Sequence, residues 1–173
     1  MGMIGHLQAV TRNELNEFLS CTNEEAIKSL LTLKYTQDNN IDYLYLDKTW
    51  HGLHFLLNGD KEDSEPLSWV IFGNHSVGGD ENQLLYGYSW IGLRYLLPDE
   101  VYKVAEVLSS ITAKDLTANF LPEAMNKASI YPTVIWIRDG IEALNYLLMY
   151  YDNLVNFYKQ AASGEKVVIM YVD

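Results

Sequence analysis

The chain has 173 residues, with 23 acidic against 12 basic side chains, a formal charge of −11, and half its residues apolar. That length suits one domain, burying roughly 70% of the surface its unfolded chain would expose. The acid excess argues against nucleic acid or an anionic membrane as partner, because both require clustered Lys and Arg. No apolar run reaches the ~20 residues of a membrane span, the N-terminus lacks a basic segment followed by an apolar core, and the single Cys21 excludes an internal disulfide. A cytoplasmic, reducing location is the expectation.

Residues 2–10 read as a strand, with Met3, Leu7 and Ala9 alternating with Ile4, His6 and Val10. Thr11-Arg12-Asn13-Glu14 is a capping box opening a short helix with Leu15, Phe18 and Leu19 inward. Thr22-Asn23-Glu24-Glu25 repeats the device for a second helix carrying Ala26, Ile27, Leu30 and Leu31. A turn is expected at Asp38-Asn39-Asn40, then a short alternating strand from Ile41 to Leu46.

Asp47-Lys48-Thr49-Trp50-His51-Gly52-Leu53-His54-Phe55-Leu56-Leu57-Asn58-Gly59 concentrates the unusual chemistry. As a helix it is capped by Asp47 or Thr49 and ended by a left-handed Gly59. Trp50, Leu53 and Leu57 then form one stripe with His54 at its edge, and Phe55 points elsewhere, so the helix touches protein on two sides. A solvated loop follows, and Pro66 suits the first turn of a helix that stops at Gly73.

Gly78-Gly79-Asp80 marks a turn or loop, and Leu84 to Leu97 reads as strand broken near Gly92. Pro98-Asp99-Glu100 opens a helix with Val101, Val104, Ala105 and Leu108 inward and Lys103 and Glu106 outward. Thr112 to Asp115 opens another, interrupted at Pro122, and the aromatic stretch Ile130 to Trp136 reads as extended. Asp139 caps the longest helix, ending at Gly164 and roughly 36 Å long at 1.5 Å per residue. Its inward stripe is Ile141, Leu144, Leu148, Tyr151, Val155, Tyr158 and Ala162, and a second stripe holds Tyr146, Tyr150 and Phe157. Val167 to Val172 is a continuous apolar run, as in a central strand covered on both faces. The fold expected is a single α+β domain in which the two terminal strands share a sheet and the 139–163 helix packs on it.

The chain resembles the bacterial YfbM-like family, a domain family of unknown function. The resemblance rests on Met1-Gly2-Met3-Ile4-Gly5, the Asp47–Gly59 stretch, Pro66-Leu67-Ser68, Ile130-Tyr131-Pro132 and the final helix and strand. It implies a compact α+β domain in a bacterial cytosol and no particular activity.

No phosphate loop, nucleotide-binding glycine pattern, HExxH or nucleophile elbow is present, so no cofactor is called for. His51, His54, His75 and Asp47 are chemically able to bind zinc, but helical zinc pairs are His at i and i+4, and this pair is i, i+3; no metal site is assigned. His54 is the catalytic candidate, a general base oriented by Asp47 or a carbonyl; against it stands a neutral, hydrogen-bonded core histidine. Arg94 is either a stacked structural cation or an anion clamp.

The leading functional expectation is a non-catalytic module that binds another protein, for instance neutralising a basic one. The alternative is a small enzyme or ligand binder with a cleft around Trp50, His54, Arg94 and Trp136, with Asp47 and His51 as further ligand contacts.

Overall fold

The protein is described by a computed structural model covering residues 2–35, 41–59, 64–78 and 91–173. The expected turn at Asp38-Asn39-Asn40, the strand character of 84–90 and part of the Gly78-Gly79-Asp80 turn lie outside the described residues. Five strands form one antiparallel sheet in the order β2-β1-β5-β4-β3. They are β1 (Gly5–Val10), β2 (Tyr43–Asp47), β3 (His75–Ser76), β4 (Arg94–Leu96) and β5 (Val167–Val172).

The two terminal strands lie side by side at the centre, with Gly5 opposite Val172 and Val10 opposite Val167. Both are buried along their whole length, which is what the continuous apolar run in β5 requires. Alternation then sorts the side chains. Leu7, Ala9, Val168, Met170 and Val172 join the larger apolar cluster, while Val10, Val167, Ile169 and Tyr171 join the smaller one.

The smaller cluster is closed by α1 (Arg12–Ser20) and α2 (Glu24–Tyr35), through Leu15, Phe18, Ile27 and Leu31. The Thr11–Glu14 capping box forms as expected. For α2 the cap is Asn23 rather than Thr22: its Oδ1 accepts from Ala26 N at 2.9 Å. A short side chain one residue before the first helical turn reaches the orphan amides better than one two residues away.

The larger cluster packs α3 (Trp50–Asn58), α4 (Trp69–Phe72), α5 (Pro98–Ser110), α6 (Ala113–Asn119), α7 (Pro122–Lys127), α8 (Ile135–Asp139) and α9 (Ile141–Ser163) on the other face. Pro66 sits in a turn before α4 rather than in its first helical turn. Pro122 starts α7 at its first position, where its missing N–H costs nothing.

Three further expectations on this side are corrected. Ile130 to Trp136 is not extended, because Trp136 is drawn into the core on α8, its indole N–H donating to Ile130 O at 2.7 Å. Asp139 does not cap α9: Gly140 takes that position with φ 52°, and Asp139 is bound to Arg138 instead. The buried stripe of α9 is Ala143, Leu144, Leu147, Tyr151, Leu154, Phe157, Tyr158 and Ala161, about one residue round from the expected one, leaving Ile141 66% exposed. The long helix packs against α5 as well as against β2.

Candidate functional site

Helix α3 is the most deeply enclosed element on the larger face. Trp50 and every residue from Gly52 to Asn58 are buried. Neither proposed cap is used, since Thr49 makes no side-chain bond to the helix amides and its hydroxyl donates back to Leu46 O. Asp47, the last residue of β2, adopts φ 49°, a conformation Asp tolerates better than most residues. Gly59 ends the helix at φ 70° as expected, its N–H donating to Phe55 O.

The residues singled out in the sequence do not converge on one cleft. Trp50 and Trp136 are fully buried, and His54 is 8% exposed, its ring 4.4 Å from that of Phe72. Asn58 Nδ2 lies 2.9 Å from His54 O and 3.4 Å from its Nδ1. His51 stacks on Trp50 at 4.9 Å, and its Nδ1 accepts from Tyr131 N at 3.0 Å. Burial, with His54 nearby as the lesser cause, pushes the His51 imidazole down to about 4. Arg94 is far along the chain on β4, donating to Phe72 O at 2.9 Å and to Ser76 Oγ. His75 pairs with Glu100 at 3.0 Å, the same carboxylate accepting from Asn74 and from Leu97 N. Among the described residues no three His, Cys, Asp or Glu side chains gather to hold a metal ion.

Among the described residues two cavities open to solvent, one on each face of the sheet, have no lining from Trp50, His54, Arg94 or Trp136. The first is a groove of about 360 Å³ where the β2–α3 turn meets α8 and α9. Asp47, Lys48, Asp139, Glu142 and Tyr146 line it, over an apolar floor that includes Ile135 and Pro132. Tyr146 donates to Asp47 Oδ2 at 2.6 Å. Burial, and then that bond to an anion, raises the phenol above its ordinary range. Asp139 is bridged by Arg138, which holds its carboxyl below the usual range. Carboxylates still outnumber cations here: Asp47, Asp139 and Glu142 against Lys48 and Arg138. The same corner exposes Val134, Ile137 and Ile141. Of the sequence candidates, only Asp47 lines this groove.

The second cavity, about 390 Å³, lies on the α1–α2 side of the sheet, lined by His6, Tyr45, Tyr171 and Asp173 with Ile4 and Leu31. His6 is the organising residue, 4% exposed. Its Nε2 lies 2.9 Å from Asp173 Oδ1 and its Nδ1 2.7 Å from the Tyr43 hydroxyl. A carboxylate only accepts, so Nε2 carries the proton, and in the neutral ring Nδ1 then accepts from Tyr43. Burial lowers the His6 pKa more than the Asp173 carboxylate raises it. The ring stacks on Tyr171 at 4.6 Å, and Tyr45 meets it edge-on at 5.8 Å.

Sequence reasoning read His6 only as one step in an alternation. A histidine among apolar strand residues was the available signal, and pairing β1 with β5 was the step that would have set it beside Asp173.

A sheet of five antiparallel strands between two unequal helical layers, with tyrosine and carboxylate together in both cavities described, defines a single α+β domain. The chain belongs to the family described as domain of unknown function DUF1877, whose model matches residues 1–171. Among solved structures it is similar to that of YfbM from Escherichia coli, a protein of unknown function, at 20% identity and a TM-score of 0.68, covering 98% of this chain and 99% of that one. At that identity the likeness shows the fold, and the fold agrees with the resemblance read from the Asp47–Gly59 stretch. No curated protein matches the chain. Among the described residues no helix is long and apolar enough to cross a membrane.

Proposed function

We propose that this protein is a non-catalytic interaction module whose partner is a basic protein, received at the groove between Asp47, Tyr146 and Glu142. The observation that carries the reading is the composition of that groove. A carboxylate excess and a tyrosine lie beside the exposed Val134, Ile137 and Ile141. Such a surface offers a basic protein both charge complementarity and apolar area. The overall charge of −11 steers the same class of partner toward it. Burial of Trp50, His54 and Trp136 supports binding over catalysis, since a general base must reach the proton it removes.

The test is capture by the immobilised protein at low and at high salt, with Asp47→Asn/Glu142→Lys as the comparison. Asn tolerates the backbone of Asp47 and keeps an acceptor for Tyr146, so the double variant should fold. Basic proteins should be retained at about 50 mM salt, released near 500 mM, and lost from the variant. Retention that ignores both salt and the variant defeats the proposal.

A further inference from the structure

We propose that the cavity on the α1–α2 side of the sheet is a binding site for a small organic cation, its ammonium or guanidinium head against Asp173 and its apolar body along Tyr45 and Leu31. This site is separate from the groove: the two share no lining residue.

The negative pole is held in place from two directions. The backbone of Asp173 exchanges two hydrogen bonds with Ile4, at 2.7 and 3.0 Å. Its side chain is fixed by His6, which takes Oδ1 at 2.9 Å, while Oδ2 has no hydrogen-bond partner among the described residues. His6 is itself locked by Tyr43 on its other nitrogen and by the Tyr171 ring beneath it. The carboxylate is thus preorganised, and a guest does not have to order it on arrival.

The sign of the charge follows from the same bonds. A neutral His6 orients Asp173 without cancelling it, and no Lys or Arg is among the described residues lining the cavity. Tyr45 and Tyr171 add ring faces and edges, and the electron-rich faces of tyrosine favour cations. Among the described lining residues an anion would meet the carboxylate with no cation to offset it.

The size suits a small guest. About 390 Å³ lies within the range of ligand pockets, which are mostly apolar with a few placed polar groups. Ile4 and Leu31 supply apolar wall, and Thr32 a hydroxyl. The Leu31 wall is tied to the sheet, because Gln8 Nε2 donates to Leu31 O at 3.3 Å one pleat beyond His6.

The experiment is an NMR titration of the whole protein with phenethylamine and agmatine as free cations, a blocked lysine dipeptide as the side-chain source, and N-acetylphenethylamine as the neutral control. Saturable shifts at His6 and Tyr45 are expected with the cations and not with the control. Free amines binding more tightly than the dipeptide assigns the site to a metabolite, and the reverse assigns it to a basic side chain of a partner. Asp173→Asn keeps an acceptor for His6 and should weaken binding by about tenfold or more. Tyr45→Leu, on an edge strand, should weaken it severalfold without unfolding the sheet. Glu142→Lys alone, at a residue that lines only the groove, should leave it unchanged, which separates this site from the groove. No saturable shift with any cation, equal binding of the neutral control, or an undiminished Asp173→Asn would overturn the proposal.

Discussion

The backbone N–H of Tyr131 donates to Nδ1 of His51 across 3.0 Å, joining residues 80 positions apart. The bond fixes the tautomer: Nδ1 accepts, so the proton sits on Nε2. It also requires a neutral ring, in keeping with a pKa lowered to about 4 chiefly by burial. In the unfolded chain the same ring titrates near 6.5. The folded value is the lower, so the contribution is complete above about 6.5 and is lost as pH falls toward 4, where the unfolded chain takes up the proton first. His6 shifts in the same direction, so the test is a difference. His51→Gln retains an acceptor for Tyr131 and does not titrate. Its melting temperature should fall less than that of the wild type between about pH 7 and pH 4.5. Equal slopes would remove His51 from the account.

The sequence made the sheet legible where one signal dominated. A strand apolar at every position, Val167 to Val172, admits only a doubly covered place, and the alternation of Leu7 and Ala9 with His6 and Val10 paired with it naturally. The Thr11–Glu14 box and the Gly59 stop are local devices and appear as read. What failed was set at a distance. Trp136 turns Ile130–Trp136 into a helix entry because the core has room for an indole. Gly140 replaces Asp139 as cap because Arg138 competes for the carboxylate. The His6–Asp173 pair needed the register of two strands at opposite ends of the chain, and neither residue is unusual alone.

Trp50→Ala should destabilise the protein by roughly 3–5 kcal/mol, the cost of deleting a large aromatic side chain from a closed core. The indole is fully buried, donates to Met3 O at 3.2 Å, and stacks on His51. Chemical denaturation measures the change; a loss below about 1 kcal/mol would place Trp50 outside the core.

Gly52→Ala should also destabilise, by about 1–3 kcal/mol, although Ala is the better helix former. A Cβ on Gly52 would stand 2.6 Å from Trp136 Cη2 and 2.9 Å from Leu147 Cδ2. Both neighbours are fully buried and have nowhere to retreat. An unchanged or raised melting temperature would show that α3 can move away from α8 and α9.

Glu100 joins three elements, accepting from Leu97 N, Asn74 Nδ2 and His75 Nε2. Glu100→Ala should cost about 2–3 kcal/mol, because charge-assisted bonds are lost and partly buried donors are stranded. Glu100→Gln, which keeps one acceptor oxygen and the side chain's volume, should cost less. The order of the two variants in urea unfolding is the readout, and equal losses would mean that packing rather than the carboxylate sets the cost.

His54 separates the binding reading from a catalytic one. Its ring is enclosed by α3 and Phe72, and Asn58 approaches both its Nδ1 and its carbonyl. Asn58 Oδ1 accepts no hydrogen bond among the described residues, so the corner around the ring is already short of donors. His54→Gln replaces a flat ring with a flexible amide, which loses the contact with Phe72 and gains rotamers that must be frozen on folding. A loss of roughly 1–3 kcal/mol is expected, with salt-sensitive capture of basic proteins unchanged at a temperature where the variant is folded. Capture should survive because His54 does not line the Asp47–Tyr146 groove. If stability held while capture vanished, His54 would be reaching a partner through an opening the packing of α3 does not provide, and the groove would no longer account for binding.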